Sequence, residues 1–266
     1  QIELVKLFRL LHEEEVPVFY LGHGSNILVA DDGFDGLVVR SGGELATIRV
    51  HGNVLQAGPA ARLLDLTAFA AAAGLSGMET LSGIPGSVGG GLYMNAGAYG
   101  GEIADTLQSV DVLTENNEIQ TVAQSEVDFG YRSAPALQDK IILTSRYSLV
   151  TGEKPHIYSE MRRVWKQRRA KQPLEFPSAG SIFKRPPGDY AGRLIEAVGG
   201  KGTQIGGAMV SSKHAGIFVN TGNATAADVC ALVREIRKRV YETFHVLLEP
   251  EVKPVGFAQD PFAITQ

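Results

Sequence analysis

Residues 81–102 read LSGIPGSVGGGLYMNAGAYGGE, the centre of a stretch from Gly74 to Gly101 that holds ten of the chain's 31 glycines in 28 residues. A glycine inside a helix or strand adds backbone entropy that folding must remove and gives the core no side chain. A segment this rich in glycine is therefore using its main chain. Bare N–H groups in tight turns form concave sites for anionic oxygens, which points to a phosphate-bearing cofactor laid along the segment. A set of tight β-turns in an all-β region would use the same residues, and glycine content alone leaves both readings open.

Outward from this stretch the pattern is mixed. Residues 2–15 place Leu4, Leu7, Phe8 and Leu11 on one helical face. VPVFYLG (16–22) reads as a buried strand, and GFDGLVVR (33–40) as a turn and a strand. A strand over 54–57 leads to a helix over 61–73 that Gly74 ends at its C′ position. Strands over 109–113 and 119–122 flank the turn residues Glu115, Asn116 and Asn117, and another strand runs over 141–150. TGEKP (151–155) is the best boundary. The helix after it, 157–170, is expected to bury Ile157, Met161, Val164 and Trp165, with a basic opposite face, and Pro173 and Pro177 end it. The clearest helix carries Val229, Leu232, Val233, Ile236, Val240 and Phe244 at helical spacing, with Thr225 and Asp228 as a capping box. These elements make the fold class α+β, in two parts meeting near residue 151.

Bulk properties exclude several classes. A net charge of −4 and a pI near 5.9 argue against a nucleic-acid or membrane-surface protein. The single cysteine, Cys230, allows no internal disulfide and no cysteine cluster; it falls near the buried face of the last helix and reads as core packing. Six scattered histidines show no metal-ligand spacing, so no metal is expected. No run of eighteen apolar residues occurs, and the chain reads as soluble and cytoplasmic.

Five further motifs carry candidate chemistry. In LGHGSNILV (21–29) two glycines allow a turn, and Ser25 and Asn26 can add donors to a pyrophosphate. It is not the dinucleotide fingerprint, because ILVADDGFDG returns to a strand rather than a helix. Tyr131 and Arg132 follow a turn. PSAGSIFKRPPG (177–188) concentrates a hydroxyl and two cations in a rigid loop, suiting a diphosphate or carboxylate ligand and a proton donor. KHAG (213–216) and LEPEV (248–252) add His214, Glu249 and Glu251, each with a plain structural alternative.

In order, LGHGSNILVADDGFDGLVV, GLSGMETLSGIPGSVGGGLYMNAGAYGGEI, VDFGYRSAP, the run from PSAGSIFKRPPG to KHAGIFVNTGNATAADV, and LEPEVKPVG resemble the UDP-N-acetylenolpyruvoylglucosamine reductases from about residue 16 to 256. The resemblance implies a vanillyl-alcohol-oxidase-type FAD-binding domain over 1–150, in lobes of about 1–47 and 48–150. A substrate-binding α+β domain over 151–256 follows, then an uninformative tail over 257–266. It implies FAD with its diphosphate near Gly22, His23, Gly24, Ser25, Asn26 and Ile27 and along Ser82, Gly83, Pro85, Gly86, Ser87, Gly89 and Gly90. The ring system falls near Asn95, Gly97, Ala98, Tyr99, Gly100 and Ile103. NADPH is the implied reductant, and the product belongs to bacterial peptidoglycan precursor synthesis. The implied proton donor is Ser181, with Arg132 and a protonated Glu251 stabilising the developing anion. Tyr131, Lys184, Arg185 and His214 fall to the substrate.

Two departures from the family stand out. Its members carry a further N-terminal segment with an N-T-F/L-G-type motif, whereas this chain starts at a helix, so a trimmed or abbreviated first domain is expected. Arg185 stands where many members have asparagine, a subtype difference. The absence of an inserted tyrosine-bearing loop matches the shorter, second type. The implied partner is a small-molecule nucleotide sugar, with no nucleic acid, no membrane and a monomeric chain. The alternatives are another FAD-dependent hydroxy-acid or alcohol oxidoreductase of the same fold, or an inactive nucleotide-sugar-binding relative.

Overall fold

The computed structural model describes residues 2–264, with His12 described by its main chain only; Gln1 of the expected first domain and Thr265 and Gln266 of the expected tail lie outside it. The chain forms two compact units. One is built from the chain up to His23 and from Gly36 to Arg168, the other from Gly24 to Asp35 and from Arg169 onward.

In the first unit, helix α1 (Ile2–Glu13) turns Leu4 and Leu11 inward, as its spacing requires. Val18–Leu21 pairs in parallel with Leu37–Arg40, and its side chains are half-buried rather than enclosed. A five-stranded antiparallel sheet runs in the order 119–123, 107–113, 141–148, 54–57, 48–51. Leu55, Val110 and Val112 of this sheet share a core with Leu63 and Leu66 of helix α2 (Leu63–Ala73) and Leu92 of helix α3 (Val88–Tyr93). Gly74 ends α2 at φ +73° with its N–H on the carbonyls of Ala70 and Ala71, the left-handed cap read from the sequence.

Helix α4 (Lys154–Lys171) carries Pro155 in its first turn, where a missing N–H costs nothing. It buries Ile157, Val164 and Arg168. Trp165 is 41% exposed, against expectation. The inward stripe runs 157–164–168, so the position following Val164 on the core face falls to an arginine instead of the indole.

In the second unit a four-stranded antiparallel sheet runs 178–181, 217–220, 208–210, 204–205. Helix α5 (Ala191–Ala197) and helix α6 (Ala226–Phe244) complete it, and α6 buries Cys230, Leu232, Val233, Ile236 and Val240. The expected capping box is present: Asp228 N–H donates to Thr225 Oγ1 at 3.1 Å, and Thr225 N–H to Asp228 Oδ2 at 3.1 Å. Sequence reading did not find Asp31. Its carboxylate accepts from the N–H groups of Ala226 (2.7 Å) and Ala227 (3.0 Å), and a carboxylate is favoured at a helix N-terminus.

Three organisational expectations change. The break falls at 168/169 rather than near 151, because the buried stripe of α4 keeps most of that helix with the first unit. The lobes 1–47 and 48–150 are not separate, since Leu4, Leu11 and Val39 form one cluster with Leu113 and Leu143 of the sheet. The tail is not uninformative. Arg234 donates to the Pro261 carbonyl at 2.7 Å, Arg237 bonds the carbonyls of Leu248 and Phe262, and the Phe262 ring is fully buried. Truncating it in Phe262→Ala should cost about 3–5 kcal/mol, read as a lowered urea midpoint; an unchanged midpoint would make the tail dispensable.

Candidate functional site

In the first unit the glycine-rich segment packs on itself and on the strand before it. A Cβ at Gly22 would run into Ser87 Oγ, so a residue with a side chain cannot leave the 18–21 strand along this path. Ser87 caps α3, accepting from Gly90 N–H at 3.2 Å. A Cβ at Gly97 would stand 2.8 Å from the Gly101 carbonyl across the small hairpin 97–98/101–102. Both glycines are thus demanded by the protein's own close approaches. Ser82 is buried and spends its hydroxyl on the Glu79 carbonyl (2.7 Å), while Ile103 lies in the core with its N–H on the Ala96 carbonyl (2.9 Å).

Asn95 and Arg132 join two distant stretches of this unit. Asn95, fully buried, donates from Nδ2 to the Gly130 carbonyl at 3.0 Å and accepts at Oδ1 from Ala104 N–H at 3.3 Å. Arg132 donates to the Gly97 carbonyl at 3.2 Å, and its guanidinium carbon lies 5.1 Å from the centre of the Tyr131 ring. Asn95 (φ +41°), Tyr99 (φ +55°) and Arg132 (φ +55°) all occupy the left-handed region. Each costs on the order of 1 kcal/mol or more, a strain that collects where a precise backbone path matters.

Arg168, not singled out from the sequence, packs on this segment: its Cδ and the Trp165 ring lie 3.4 and 3.3 Å from where a Gly83 Cβ would stand. Burial lowers its pKa, opposed by the Tyr99 phenol. The signal available in the sequence was the Val164–Arg168 spacing of four. His23 is also held below its ordinary value, first by burial and then by Arg40 and Arg62.

The second unit holds Gly24, Ser25, Asn26 and Ile27, together with Ser181, Lys184, Arg185, His214 and Glu251. Ile27–Val29 pairs in parallel with Lys253–Val255. Ser181 ends the 178–181 strand and is exposed. The next residues pair antiparallel with LEPEV: Lys184 N–H donates to the Glu249 carbonyl (2.9 Å) and Glu251 N–H to the Ile182 carbonyl (2.7 Å). This ladder brings Glu251, only 9% exposed, to the residue beside Ser181.

The substrate candidates divide by their engagements. Lys184 Nζ forms a 2.5 Å ion pair with Glu249 Oε1, and Arg185 lies 4.8 Å over the Tyr190 ring. His214 Nδ1 accepts from Gly216 N–H at 3.2 Å, which leaves the proton on Nε2. Burial, then Lys201 and Lys171, holds its pKa below 6.5.

Residues 1–123 match the model of an FAD binding domain, and residues 172–255 match that of the UDP-N-acetylenolpyruvoylglucosamine reductase C-terminal domain. The reductase of that name from Caldanaerobacter subterraneus subsp. tengcongensis is 46% identical over 96% of this chain and 84% of its own length. The chain belongs to the UDP-N-acetylenolpyruvoylglucosamine reductase family. The family's Latilactobacillus sakei member is 43% identical over 96% of the chain and 84% of its own length. The crystal structure of the UDP-N-acetylenolpyruvylglucosamine reductase from Thermus caldophilus superposes with a TM-score of 0.82 at 38% identity, covering 93% of this chain and 89% of that one.

The donor set fits the dinucleotide that the first of these domains binds. Gly83 and Gly86 are half-buried residues, and among the described residues no protein acceptor is found for their N–H groups. With the Arg168 stem packed on the same turn, the segment offers donors and positive charge to an anion. Among the described residues no cluster of metal-ligating side chains occurs, and no helix is long and apolar enough to cross a membrane.

The lowered pKa of His214 sets a pH dependence. A histidine whose folded pKa lies below its unfolded value contributes stability that is present above about 6.5 and lost as pH falls below it. The urea midpoint should therefore fall between pH 7.5 and 5, and His214→Asn should flatten part of that fall. An identical pH profile in the variant would remove His214 as a source.

Proposed function

We propose that this protein reduces UDP-N-acetylglucosamine enolpyruvate to UDP-N-acetylmuramate at the expense of NADPH, using FAD, in peptidoglycan precursor synthesis. The observation that carries this reading is family membership across 96% of the chain, with both the FAD-binding and the reductase C-terminal domains matched. The residue roles rest on the motifs and on the placements above.

Gly22, His23, Gly24, Ser25 and Ile27 and the main chain of Asn26, with the segment from Ser82 to Gly90, would hold the FAD diphosphate, and Asn95 to Ile103 its ring system. Bound FAD supplies a two-electron carrier between NADPH and the enolpyruvyl double bond. Hydride arrives at the terminal methylene carbon, and the carbon bearing the carboxylate then needs a proton. Ser181 donates it from its hydroxyl. Negative charge spreads meanwhile into the substrate carboxylate, where the Arg132 guanidinium stabilises it. Its αL backbone and its bond to the Gly97 carbonyl hold that guanidinium in a fixed direction, which is what electrostatic stabilisation requires.

Glu251, a buried residue, acts protonated, since a second carboxylate charge beside the forming anion would oppose it. Tyr131, Lys184, Arg185 and His214 bind the nucleotide sugar. For Lys184 this means exchanging Glu249 for the substrate diphosphate, an exchange open to it because Glu249 is two-thirds exposed and surface ion pairs are weak. The protein is assigned to the cytoplasm, where NADPH and nucleotide sugars are found, and to the monomeric state.

Stopped-flow measurement of the two half-reactions tests the assignment. Ser181→Ala should leave reduction of the flavin by NADPH intact and slow its reoxidation by UDP-N-acetylglucosamine enolpyruvate at least ~100-fold, the low end for a positioned proton donor. Reoxidation at the wild-type rate would remove Ser181 from the donor role.

A further inference from the structure

Asn26 lies in the GHGSN loop that the sequence assigns to the cofactor, yet its side chain is engaged elsewhere. Nδ2 donates to the main-chain carbonyl of Glu251 at 3.1 Å, across 225 residues of sequence. The acceptor is a carbonyl, which fixes which end of the amide faces it. Asn26's own carbonyl accepts from Lys253 N–H at 3.0 Å, the first rung of the parallel ladder between 27–29 and 253–255. On its other side, Glu251 N–H is held by the Ile182 carbonyl at 2.7 Å. The peptide groups on both sides of the Glu251 side chain are thus fixed, one by the segment that carries Ser181 and one by Asn26.

We propose that the Asn26 side chain is a positioning group for the reaction: its amide acts through Glu251, setting the direction of that side chain, rather than by binding cofactor. This rests on the functional reading above, in which Glu251 is the acid that stabilises the developing charge. A nearly buried carboxyl has little room to compensate if its main chain turns, and a misplacement of about 1 Å can cost on the order of 100-fold in rate. A single hydrogen bond contributes little to net stability, so a variant lacking it should still fold.

The test separates the two roles open to Asn26. In Asn26→Ala the FAD dissociation constant, measured by fluorescence titration, should stay near that of the wild type. Reduction of the flavin by NADPH should be retained, and reoxidation by the enolpyruvyl substrate should slow roughly 10- to 100-fold. In a Glu251→Gln background the same substitution should add little, because the two residues act as one unit. Asn26→Asp, of equal size but unable when ionised to donate to a carbonyl, should behave as the alanine variant does and guards against a packing artefact. Loss of FAD affinity with normal reoxidation would make Asn26 a cofactor ligand and overturn the proposal. So would equal slowing of both half-reactions, or effects that multiply fully with Glu251→Gln. A wild-type flavin that NADPH reduces but the enolpyruvyl substrate does not reoxidise would instead sink the functional reading itself.

Discussion

The short parallel ladder between Ile27–Val29 and Lys253–Val255 is the constraint on which the second unit depends. Closing a loop of this length costs on the order of 5 kcal/mol of chain entropy. Three rungs of main chain at about 1 kcal/mol each do not offset that. The remainder comes from Leu28, which packs on the second core, and from Asp31, whose carboxylate takes two N–H groups at the start of α6. With the arm in place, Asn26 reaches the Glu251 carbonyl and the LEPEV segment lies between two partners. Without it, one side of that segment has no strand to bond.

Local order was legible because it is written in local sequence. The spacing of Leu232, Val233, Ile236 and Val240 defined α6, and Thr225 with Asp228 defined its start; both are contacts within a few residues. Gly74 was legible as a cap for the same reason. Partners far apart in sequence were not. Nothing in GHGSNILVADD says that Asp31 will cap a helix 195 residues on, or that Asn26 will face Glu251. The phase of α4 was misjudged because hydrophobicity favoured Trp165, whereas the geometric stripe passes through Arg168. The site was legible mainly as ordered motifs, since each motif is short and contiguous while its meeting with the others is not.

Glycine density proved a mixed signal. Gly22 and Gly97 lack side chains because Ser87 and the Gly97–Glu102 hairpin leave no space for one, a demand internal to the protein. Gly83 and Gly86, both half-buried residues, instead keep N–H groups for which no protein acceptor is found among the described residues. The two readings of the segment are therefore both true, at different glycines. Around them Asn95, Tyr99 and Arg132 hold left-handed backbone that alanine would adopt only at a cost. Strain of this kind persists only where neighbouring bonds over-determine it, as the Asn95 and Arg132 bonds to the Gly130 and Gly97 carbonyls do.

The arm of residues 24–35 also bears on how the polypeptide matures. Ribosomes deliver the N-terminal end first, so this arm emerges early and stays unmated until the strand at 253–255 has been made. The C-terminal half cannot be completed by its own contiguous stretch of chain, and a nick between the halves would leave the N-terminal fragment holding a piece of the second unit's architecture. Assembly of the second unit is accordingly a late event in biosynthesis, and its integrity reports on the pairing of residues 27–29 with 253–255.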